Sequence, residues 1–106
     1  MIRQGDVLIV PVETIPENAQ PMASKDGRFV LAEGESTGHA HSIALSDRIA
    51  MFREDGSGGG LFLTVSGDAP AVLEHQEHTA LPIAPGKHRV VIQRTFQAGM
   101  VRRVAD

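Results

Sequence analysis

Short apolar, β-branched runs recur along this chain about every ten residues, separated by Gly, Pro and Asp breaks, a pattern of strands rather than helices. Asp6 to Val12 reads as a first strand, with Pro11 placing its end at a sheet edge. Thr14 to Asp26, holding Pro16 and Pro21, reads as a loop. Arg28 to Ala32, His39 to Leu45 and Ile49 to Arg53 follow as strands, with Ser46-Asp47 turning between the last two. Leu61 to Val65, Ala71 to His75 and a short Ala80 to Ile83 come next. Pro85-Gly86 turns the chain into its longest strand, His88 to Phe96, and Met100 to Val104 closes the sheet. The one helical candidate is a single turn around Glu74 to His78.

Strands this short and numerous predict an all-β domain: a small antiparallel β-barrel or sandwich of about eight or nine strands, a barrel with a polar mouth being the first choice. Strand parity assigns the core to Val7, Ile9, Phe29, Leu31, Ile43, Leu45, Met51, Leu61, Leu63, Val65, Leu73, Val90 and Ile92. At 106 residues the chain is expected to form one domain, residues 1–106, around that core.

Composition narrows the chemistry. With no cysteine there are no disulfides, thiolate metal sites or cysteine nucleophiles. A net charge of −3 argues against a phosphate-binding protein, although Lys87, His88, Arg89, Arg94, Arg102 and Arg103 make the last fifth locally basic. No Trp, no Tyr and only four Phe leave little for a base-stacking platform, so no nucleic acid partner is expected. No apolar stretch approaches the roughly 20 residues of a membrane span, and a cytoplasmic location is the default expectation.

Against that background the five histidines stand out, two in Gly38-His39-Ala40-His41 and two in His75-Gln76-Glu77-His78. In a strand, His39 and His41 share a face with Ile43 and Leu45, so an inward apolar stripe carries both imidazoles inward, about 6.6 Å apart. The same parity places His75 with Leu73. His78 reaches the same side only if the strand has ended by then. Imidazoles so gathered are ligands for a divalent transition metal such as Zn, Ni, Fe or Mn, so His39, His41, His75 and His78 are the candidate metal ligands. Glu77 or Glu35 could supply an oxygen, or orient a ligand by accepting its free N–H. His88, just after Pro85-Gly86-Lys87, is explained as a strand-start residue.

The runs Gly34-Glu35-Ser36-Thr37-Gly38-His39-Ala40-His41, Leu73-Glu74-His75-Gln76-Glu77-His78, Pro85-Gly86 and Val90-Val91-Ile92-Gln93-Arg94, with Gln4-Gly5-Asp6-Val7-Leu8 at the start, resemble an uncharacterised family of small bacterial proteins. The resemblance spans nearly the whole chain and implies no activity. It leads one to expect a Tyr at His88 and a Glu-Tyr pair at Thr95-Phe96, which makes His88 a weaker ligand candidate. In architecture the chain also resembles cupins, which carry His-x-His and a later His in a small β-barrel. The cupin pattern wants a Glu soon after His-x-His, where this chain has only Asp47.

Two further motifs carry little. Gly34-Glu35-Ser36-Thr37-Gly38 has the letters of a nucleophile elbow, but a strand follows Ser36 where that chemistry needs a helix. Gly38 is better read as a bend before the histidines. Gly56 to Gly60 lacks the Lys-Ser/Thr ending of a phosphate loop and reads as a hairpin connection.

The sequence therefore predicts a metal-binding β domain of unassigned activity. An open metal position could make it an enzyme, with Glu35 or Glu77 carrying protons. The alternative is a non-enzymatic binding or adaptor module whose histidines form a structural or pH-sensitive polar network. Expected partners are a small-molecule ligand and a second copy paired through edge strands, with no membrane partner.

Overall fold

The computed structural model describes residues 1–33, 38–54, 59–97 and 100–103. Twelve strands run through them in sequence: β1 (Ile2–Gln4), β2 (Val7–Pro11), β3 (Ala19–Pro21), β4 (Arg28–Glu33), β5 (Ala40–Ala44), β6 (Ile49–Glu54), β7 (Leu61–Val65), β8 (Ala71–Leu73), β9 (Leu81–Ile83), β10 (Gly86–Ile92), β11 (Arg94–Gln97) and β12 (Met100–Arg103). Every pairing between them is antiparallel. No helix among the described residues is long and apolar enough to cross a membrane.

Six strands form the main sheet in the order β1-β2-β10-β7-β6-β3. The hairpins β4–β5 and β8–β9 are joined by a bridge at Ser42 and Glu74, each donating its amide to the other's carbonyl at 2.9 and 2.8 Å. They make a second layer in the order β4-β5-β8-β9. Val7, Ile9, Met51, Leu61, Leu63, Val65 and Val90 from the main sheet pack with Phe29, Leu31, Ile43, Ala71, Leu73 and Ile83 from the second layer in one apolar cluster. The result is sandwich-like, with open sheets and no closed barrel among the described residues. A third pairing, β11 with β12, continues the chain after Gln93.

The strand pattern is recovered with local differences. β1 was not expected. Gly5 and Asp6 form a two-residue hairpin loop between Gln4 and Val7, with Gly5 at φ +57°, the position that a type II′ turn reserves for glycine. The expected loop from Thr14 to Asp26 contains β3, a three-residue edge strand on which Pro21 is tolerated because it lies at the margin of the sheet. The expected strand from His88 to Phe96 is interrupted at Gln93, whose amide adds a last bond to β2's register at the Asp6 carbonyl before the chain continues as β11. The Ala71 to His75 strand ends at Leu73, and residues 75–79 form an irregular turn rather than a helical one.

Leu45 corrects the predicted core. It is 51% exposed: β5 ends at Ala44, and although the Leu45 amide still bonds Gly27 O at 2.9 Å, its side chain lies past the strand and outside the core. Parity does hold inside the strand: His41 and Ile43 are both buried. Ile92 is half-buried at the margin of the cluster, and Ile49, Ala71 and Ile83 join it although parity reasoning left them out.

These environments predict unequal costs. Leu63 is fully buried, so Leu63→Ala is expected to destabilise by about 2–5 kcal/mol. Leu45→Ala is expected to stay within about 0.5 kcal/mol of wild type in the same urea titration.

Candidate metal centre

Gln4 organises the site. Its side-chain amide is buried at the edge of the main sheet and donates to Leu73 O at 3.1 Å and Thr79 O at 2.9 Å, both in the second layer. Two carbonyl acceptors leave no doubt which end of the amide carries hydrogens. Its Oε1 must therefore be an acceptor, and it faces His41 Nδ1 at 2.9 Å. His41 consequently donates from Nδ1, and its second nitrogen, Nε2, lies 3.3 Å from Asp6 Oδ1. Both His41 and Asp6 are 0% exposed.

The other histidines gather on this buried pair. His41 lies 4.4 Å from His75 and 5.8 Å from His78, centroid to centroid. His75 lies 4.6 Å from His78 and 5.7 Å from His39. Gly38, at φ +75°, bends the chain just ahead of His39, and His39 Nδ1 sits 3.5 Å from Glu77 Oε1. Thus the four sequence-predicted ligands converge, with Glu77 at their rim. Glu35 and Ser36 lie outside the described residues, as do Gly56, Ser57 and Gly58 of the glycine-rich connection.

The ring nitrogens are not equivalent. His75 Nδ1 accepts the backbone amides of Glu77 at 3.0 Å and His78 at 3.3 Å, so this ring shapes the turn that follows β8. With Nδ1 accepting, the proton of the neutral ring belongs on Nε2. His78 Nε2 is buried and has no hydrogen-bond partner among the described residues. The turn thus presents His78 to the cluster, because the strand has ended before it. Among the described residues, no three His, Asp or Glu side chains already surround one point as a metal would require.

His88 stands apart. It is 6% exposed on β10, opposite Leu63 and Pro11, and its Nε2 donates to Ala84 O at 2.7 Å across the preceding turn. Outside the cluster, Arg28 donates from Nε to Ser42 Oγ at 2.8 Å and pairs through Nη2 with Glu74. These two join Ala40, Ser42, His75 and Gln76 around a cleft of about 360 Å³ on the His75 flank. Gln76 Oε1 accepts the Ala40 amide at 2.9 Å, which leaves its NH2 group as a donor.

Sequence reasoning missed Gln4 and Asp6. The available signal was Gly5-Asp6, a dipeptide of the hairpin class, which would have placed both residues beside a tight turn.

One protein-family profile, described as a domain of unknown function (DUF8820), matches residues 3–93. No curated protein and no solved structure matches the chain.

Replacing Gln4 tests the network. Gln4→Ala strands two carbonyls and the His41 N–H, and is expected to cost about 3 kcal/mol or more. Gln4→Glu should cost at least as much, because a carboxylate cannot donate to Leu73 O and Thr79 O. Denaturant midpoints check both, and a neutral result for Gln4→Glu would refute the assigned hydrogen-bond directions.

Proposed function

The chain belongs to the DUF8820 family, a domain of unknown function, and from its site we propose a β-sandwich module that binds one divalent transition metal through His39, His41, His75 and His78. The observation that carries this reading is the packing of four imidazoles at centroid distances of 4.4–5.8 Å. Imidazoles bound to one tetrahedral ion at about 2.0–2.1 Å have centroids about 5 Å apart, near the spacing of these four ring pairs, although the rings do not yet converge on one point. Closure around an ion needs the turn-borne rings to rotate. His78 requires least, since its buried Nε2 exchanges no hydrogen bond for the ligand bond. His75 requires more, because coordination through Nε2 would move its proton to Nδ1, against two amide donors.

Nitrogen and oxygen donors without thiolate suit Zn, Ni, Fe or Mn. Such an ion supplies Lewis-acid polarisation of a bound carbonyl or phosphoryl oxygen. The chain's own part is to position a small polar molecule in the adjoining cleft, through the Gln76 amide and the Arg28 guanidinium. The cupin analogy is one of architecture: His-x-His on one strand and later histidines beyond another, in a small antiparallel β fold. A self-associated form would use the exposed edge β3, whose Pro21 limits the ladder it offers.

A second reading is favoured by a separate observation. Both nitrogens of His41 face protein partners, Gln4 and Asp6, which is what a non-enzymatic module with a structural histidine network would show.

Elemental analysis of untagged protein separates the two. The metal reading expects about one ion per chain after reloading with Zn, Ni, Fe or Mn. It also expects about 2.7 kcal/mol of added stability at a hundredfold excess over Kd. His78→Ala and His39→Ala should each weaken binding about tenfold or more. No retained ion and no thermal shift with any of the four would sink it, and loss of stability in His41→Ala without metal dependence would favour the network.

A further inference from the structure

We infer that Asp6 is a carboxylate ligand of this centre, sharing the ion with His41 Nε2 and taking the tetrahedral position that the metal reading gives to His75, whose Nδ1 is engaged by two amides; the inference rests on that metal reading. The argument starts from the distance between them. Two donors about 2.0–2.1 Å from a tetrahedral ion stand about 3.3–3.4 Å apart. His41 Nε2 and Asp6 Oδ1 are 3.3 Å apart, whereas a charge-assisted N–H···O bond would draw them to about 2.7–2.9 Å. The pair is spaced as one edge of a coordination tetrahedron.

The tautomer agrees. Gln4 obliges His41 to carry its hydrogen on Nδ1, which turns the lone pair of the neutral ring at Nε2 toward Asp6. A ring lone pair and a carboxylate oxygen that face each other at this distance are arranged as two donors to a shared cation. Both side chains are wholly buried, so the pair is held in fixed positions by its surroundings. Gln4 then has the place of the outer group that fixes a ligating histidine by accepting its second N–H.

The placement of Asp6 is equally defined. It is the second residue of the two-residue β1–β2 loop, and its backbone carbonyl is tied to the Gln93 amide at 2.8 Å, so its carboxylate is set by the hairpin rather than by a mobile side chain. Asp6 and His41 thus form the fixed half of the centre, and His78 on the turn forms the half that moves in. An ion between them would take His41 Nε2 and an Asp6 carboxylate oxygen as donors. A carboxylate in the set also extends the metals accepted toward harder ions such as Mn and Fe.

Asp6→Asn keeps the shape and an oxygen toward His41 but removes the charge. In metal-depleted protein reloaded with Mn, Fe, Ni or Zn, this variant is expected to lose affinity about tenfold or more. The loss should be larger for Mn than for Ni, a selectivity change that a merely structural defect does not produce. Unchanged affinity and selectivity in a folded Asp6→Asn protein would overturn the proposal and leave the histidine reading standing. Should Asp6→Asn not fold, wild type decides. On Zn loading, 15N NMR is expected to show His41 Nε2 as a metal-bound nitrogen without a proton. A His41 Nε2 that keeps its proton in Zn-loaded protein overturns the inference and also removes His41 from the ligand set, leaving at most His39, His75 and His78; wild type that binds none of the four metals overturns it together with the whole histidine reading.

Discussion

The side-chain amide of Gln4 is the constraint on which most of this structure depends. β1 lies at the rim of the main sheet, and its three residues could not hold that position by ladder bonds alone. By donating to Leu73 O and Thr79 O, Gln4 fastens the rim to the ends of β8 and of the following turn, closing the sandwich along one side. The same group decides which nitrogen of His41 bears hydrogen, and so decides what His41 asks of Asp6. Interlayer packing and local charge are therefore set by one amide. Such networks are costly when half satisfied, which explains why the surrounding apolar cluster is uninterrupted.

Much of the fold was legible because strand alternation leaves a direct record in the sequence. Met51, Leu61, Leu63, Val65 and Val90 face inward where their parity puts them. Errors arise at strand ends, where parity ceases to apply. Leu45 continues the stripe of Ile43 on paper, but it lies past the end of β5 and its side chain is exposed. The break of the last long strand at Gln93 is likewise invisible to periodicity, because it marks where the chain leaves the main sheet to pair β11 with β12, a tertiary choice.

The site was legible in part for the same reason. His41 follows strand parity, and His78 reaches the cluster because β8 ends early. Asp6 and Gln4 escaped notice because polar residues beside a turn are ordinarily solvated, and their burial is a tertiary fact. The difference in ring chemistry between His75 and His78 also depends on amide directions within an irregular turn, which no spacing rule specifies. His88 shows the opposite case: an inward histidine on a confident strand whose Nε2 serves only to hold a nearby carbonyl.

The bridge between Ser42 and Glu74 has a mechanical consequence. Two hairpins that share so short a ladder meet at a seam crossed by two backbone bonds, those between Ser42 and Glu74. His41 belongs to one hairpin, while His75 and His78 emerge from the other, so the imidazoles face one another across this joint. Any guest gripped from both sides acts as an extra rung in a ladder that is short of rungs. Occupancy of the site and rigidity of the second layer are then two views of one equilibrium.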